Sequence, residues 1–174
     1  MNTPLKFVSA LFLFVAASSA QSVDSAESLN ADLISSCGSK DAALTTIRHL
    51  PDDLAKVRAL MNELEVSQGS VLSQKDAALR KQGKWSDEHD ERFFRALNGG
   101  SSFQNFELQR GKLVNAYMEA TEAIVESLAA GALDQSCKSS VALKLYMRSL
   151  YKVTEDQWGY MLSEKDKALE AIQK

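Results

Sequence analysis

Apolar residues recur at intervals of three and four from residue 52 to residue 173, and no proline interrupts them after Pro51. That spacing places apolar groups on one face of a helix and leaves charge on the other. One stripe runs Leu54, Val57, Met61, Leu64, Val71 and Ala78, broken by polar Gln68 and Lys75. A second runs Phe103, Phe106, Leu113, Tyr117, Ala120, Ile124 and Leu128, and a third Leu143, Tyr146, Leu150, Val153, Tyr160, Leu169 and Ile172.

Punctuation agrees with the stripes. Asp24 and Glu27 stand at capping-box spacing, and Gly38 and Gly83 suit helix stops. Pro51 suits a first helical turn. Ser86 precedes an acidic first turn, and Asn98-Gly99-Gly100 marks a break. The spacing predicts helices near 24–37, 40–49, 52–82, 87–97, 102–130 and 139–173. Three of these approach thirty residues, ~45 Å each at 1.5 Å per residue. The expected fold is all-α: an elongated antiparallel helical bundle with three long helices plus shorter ones, in one domain over 21–174.

Residues 69–79, GSVLSQKDAAL, match residues 159–169, GYMLSEKDKAL, at seven of eleven positions. At the same offset Val57-Arg58-Ala59-Leu60 faces Met147-Arg148-Ser149-Leu150. A further match leads from Glu27-Ser28-Leu29 to Ser36-Cys37 and from Glu126-Ser127-Leu128 to Ser136-Cys137. Two blocks in the same order point to an internal duplication. Equivalent halves would pack about an approximate twofold axis, with Cys37 and Cys137 able to meet near it. Lys75 and Lys165 both fall inside apolar stripes. The default arrangement is a stem along the core with its ammonium in water. The alternative pairs each lysine with the aspartate of the other half, Asp166 or Asp76, which would fix register more than it stabilises.

The N-terminus reads as a processing signal. Lys6 precedes the apolar run Phe7–Ala17, and Ser18-Ser19-Ala20 supplies small residues for cleavage. The run is far shorter than the ~20 residues a membrane-spanning helix needs. Residues 1–20 are therefore expected to be a cleaved signal peptide, and the product to be exported, periplasmic or extracellular. Without the leader the chain carries 19 basic and 23 acidic side chains, a mild acidity that gives no reason to expect a nucleic-acid partner. Cys37 and Cys137, the only cysteines, are expected to form one disulfide in an oxidising compartment.

Catalytic patterns are sparse. Asp87-Glu88-His89-Asp90-Glu91 carries metal-ligating types, but on a helix His89 points away from Asp87 and Glu91, and acidic groups suit a first turn. Gly-x-Ser-x-Gly, Cys-x-x-Cys and phosphate-binding glycine loops are missing. No catalytic residue, metal ligand or cofactor is nominated. One local bias stands out. The four phenylalanines after the leader, Phe93, Phe94, Phe103 and Phe106, lie within fourteen residues, just after Trp85 and outside the repeat. They form either a mini-core closing one end of the bundle or an aromatic surface for a partner. Trp85, Phe93, Phe94, Phe103 and Phe106 are the candidate binding residues. The expected function is non-enzymatic protein binding, as an inhibitor, a holdase or an envelope scaffold. The alternative is a carrier that holds a small apolar ligand between helices.

Overall fold

A computed structural model describes residue 33 and residues 35–173. The leader at 1–20, the capping box at Asp24–Glu27 and most of the helix expected at 24–37 lie outside the described residues. Among those described there is no strand; residues 33 and 35–37 are helical up to a bend at Gly38, and four further helices follow: α1 Lys40–Lys81, α2 Asp87–Gly99, α3 Ser101–Ala129 and α4 Leu133–Gln173. The all-α class and the three long helices are as the stripes predict.

Local chemistry sets the ends. The Ser39 hydroxyl accepts a hydrogen bond from the Ala42 N–H at 3.2 Å, capping α1, with Asp41 in the first turn. At the other end Gly83 turns left-handed, φ 67°, and donates to the Arg80 carbonyl while Lys84 donates to that of Leu79. Gly131 repeats this after α3, φ 70°, with Gly131 donating to Leu128 and Ala132 to Ser127. Both are Schellman stops, in which a positive φ lets two orphan carbonyls be satisfied.

Three expected boundaries shift. Pro51 lies inside α1, so the helices expected at 40–49 and 52–82 are one. An interior proline costs about 3 kcal/mol. Here Leu50 is buried against Ala120, Ile124 and Leu143, with Leu54 packed beside them, and this packing holds the helix together across the proline. The connection expected at 131–138 shrinks to 130–132, so Cys137 stands inside α4 and is fully buried. The break expected at Asn98-Gly99-Gly100 is likewise a single residue, Gly100.

α4 is the spine, packed along both α1 and α3. The short turn at 130–132 makes α3 and α4 an antiparallel hairpin: Ser136 donates to Ser127 at 2.9 Å, and farther on Phe106 meets Tyr160 at 5.9 Å between ring centres. α1, in contrast, runs parallel to α4. Cys37 bridges Cys137 with Cα atoms 5.8 Å apart, Lys144 reaches Asp53 at 3.0 Å, and Lys165 reaches Asp76 at 2.6 Å. Partners climb together along both helices. The stretches 57–79 and 147–169 therefore lie side by side, and the pairs Lys75–Asp166 and Lys165–Asp76 exchange under a ninety-residue shift, as a twofold between parallel helices requires.

Candidate functional site

The aromatic residues split by depth. Trp85 and Phe93 are buried in a cluster with Leu79 and Leu97, and Phe103, Tyr160 and Met161 pack against it. Phe106 leans on Tyr160. Phe94 alone among the five is exposed, at 40%, with its ring edge-on to Phe93. The two adjacent phenylalanines point apart on α2, so only one can face the bundle. The cluster thus closes the end of the bundle where α1, α2 and α4 meet. Phe94 is its one aromatic left on the outside.

Beneath this cap lies a charge. The Lys165 side chain is 0% exposed, its ammonium 3.8 Å from the centre of the Trp85 ring and 4.8 Å from that of Phe93. It donates to Asp90 Oδ1 at 3.0 Å and contacts Asp76 Oδ1 at 2.6 Å. The second contact is off the hydrogen-bonding line, which leaves that Asp76 oxygen without a hydrogen bond. Trp85 Nε1 also donates to Asp90 Oδ1, at 2.6 Å, and Arg80 binds the other Asp90 oxygen. Burial opposes ionisation of Asp90, but the hydrogen bonds from Trp85, Lys165 and Arg80 outweigh it and hold its carboxyl below the ordinary range. Lys165 therefore does not reach water. The expectation of two solvated ammonium groups gives way to cross-paired ones, and only Lys75 keeps contact with solvent. The difference is α2, which covers one lysine and leaves its counterpart open.

Four residues of the acidic run 87–91 are spent on similar contacts. Asp87 and Asp90 bind Arg80, Glu88 binds Arg92, and His89 Nδ1 lies 2.7 Å from the Ser86 hydroxyl. Among the described residues no group of three or more His, Cys, Asp or Glu is placed to hold a metal ion. No described helix is long and apolar enough to cross a membrane.

Two surface features escaped the reading of the sequence. On α3 a second apolar row stands outside the core: Val114, Met118, Val125 and Leu128, exposed by 38, 55, 63 and 49%. With Thr121 these positions step by four, three, four and three, the rhythm of a coiled-coil seam. Leu128, expected in the core stripe, belongs to this row because α3 buries only the face turned to α4. The signal was present in the sequence but masked by the adjacent core stripe. The second feature is a cleft of about 270 Å³ between α1 and α4, lined by apolar Val57 and Leu60, by Tyr151, and by Asp53, Lys56, Lys144 and Arg148. Its residues come from two helices ninety positions apart, and no local pattern announces it. The chain matches no protein-family model, no curated protein and no solved structure.

Proposed function

We propose that the protein is an exported, disulfide-closed scaffold that works by protein binding, holding a helix of another protein along the outer row of α3. The observation that carries this reading is the row itself. Four large apolar side chains stand exposed at seam spacing on one rigid helix, next to the face that packs on α4. An amphipathic helix laid on such a row buries its own apolar face, and methionine adapts to differently shaped neighbours. Export is supported by the leader pattern at 1–20 and by the Cys37–Cys137 bridge, since such bridges persist in oxidising compartments. The candidate surface moves from the aromatic cluster, of which only Phe94 is exposed, to α3.

A photo-crosslinking residue at Met118 should capture one defined protein in the native compartment, and one at Lys112 should not. Val125→Glu, a change at an exposed position, should abolish capture while leaving the circular dichroism unaltered. Equal capture from positions 112 and 118 would sink the proposal. Capture of a second copy of the chain would replace the partner with a homodimer.

A further inference from the structure

The parallel pairing of α1 and α4 creates two grooves, one on each side, and among the described helices α3 fills only one. In the filled groove Arg58 donates to the Tyr117 hydroxyl of α3 at 2.9 Å. The repeat counterpart of Arg58 is Arg148, which lines the cleft on the open side, where α3 contributes no residue. Among the described residues Arg148 has neither an ion pair nor a hydrogen bond. Lys144 and Arg148 also line an adjoining hollow of about 120 Å³, so both cations stand where two cavities meet.

The charge is lopsided. Lys56, Lys144 and Arg148 face a single lining carboxylate, Asp53, which lies 3.0 Å from Lys144 and 3.8 Å from Lys56. The hydrogen bond from Lys144 is the main influence holding the Asp53 carboxyl below its usual range, so it stays ionised at neutral pH and offsets one cation. The described lining therefore carries a net two positive charges, in a chain whose net charge is −3. Next to them Val57, Leu60 and Tyr151 form an apolar wall.

We propose that this cleft binds a small anionic amphiphile, with its carboxylate on Arg148 and Lys144 and its tail along Val57, Leu60 and Tyr151. At about 30 Å³ per water-sized group the volume accommodates roughly nine or ten such groups, the size of a medium-chain carboxylate. Arginine suits the head group because its planar fork meets both carboxylate oxygens.

Titration calorimetry of the full disulfide-bonded chain with decanoate tests this directly. Saturable binding of one decanoate per chain is expected, weakened about tenfold or more by Arg148→Ala. Decanol, with the same tail and no charge, should bind weaker by a similar factor. Lys152→Ala, an exposed cation outside the cleft, and Val125→Glu, on the α3 row, should leave decanoate binding unchanged. The assignment is overturned if the unaltered protein shows no saturable binding, if Arg148→Ala keeps full affinity, or if decanol binds as tightly as decanoate. Because Val125→Glu tests the α3 row separately, failure at one surface is distinguishable from failure at the other.

Discussion

Lys75 and Lys165 occupy matching places in a near-identical stretch, yet their surroundings differ. The Lys165 side chain is 0% exposed beneath Trp85, whereas that of Lys75 is 31% exposed and its partner Asp166 53%. Removing one member of a buried pair strands the other, at a cost of about 3–5 kcal/mol when both are dry. Asp76 and Asp90 keep some solvent, so Lys165→Met should cost about 2–3 kcal/mol in urea denaturation, at the low end of that range or just under it. Lys75→Met should cost less than about 1 kcal/mol, as exposed pairs do. Equal losses would show that the asymmetry has no energetic content. The sequence placed both lysines inside apolar stripes but could not tell which one is covered. That depends on Trp85 and Phe93, about seventy to eighty positions away and outside the repeat.

Among the elements, α3 offers two glycines whose replacement should act in opposite directions. Gly131 holds a left-handed turn that ends the helix, where any L side chain is strained. Gly111 lies in the middle of α3, and a Cβ added there meets nothing within 4 Å. Gly131→Ala should destabilise by about 1–2 kcal/mol. Gly111→Ala should stabilise by about 0.5–1 kcal/mol. Denaturation midpoints that moved the same way in both variants would contradict the turn assignment. Stops of this kind were legible, as Gly83 shows. Pro51 was not, because the packing of Leu50 across the bundle outweighs the local rule that proline begins a helix.

For the whole molecule, helix periodicity fixes faces and lengths but carries no direction. Short joints predict up-and-down packing, and the three long helices run up, down and up, which leaves α1 and α4 parallel neighbours. The cysteines held the missing clue. Cys37 precedes the first stripe and Cys137 the third, so joining them sets those stripes running the same way. The bridge closes a separation of 100 residues, for which chain entropy alone assigns about 4–5 kcal/mol as a ceiling. Reduction should therefore lower the thermal midpoint by several degrees while far-ultraviolet circular dichroism stays helical below it, because the clusters around Leu143 and Phe93 do not depend on the bridge. Free thiols in protein isolated without reductant, or helicity lost on reduction at low temperature, would contradict this account. The cleft could not be read in advance, since it exists only where Val57 and Leu60 come to face Arg148 and Tyr151.

The joints at 82–86 and 130–132 both fall between Cys37 and Cys137, inside a covalent ring. A protease that cuts once at Lys84 produces two polypeptides but not two molecules. The pieces stay tethered at one end and packed along α4, and they migrate as a single species until a reductant is added. Wherever proteases reach these joints, the bridge turns a cut that would sever the chain into a nick it can survive.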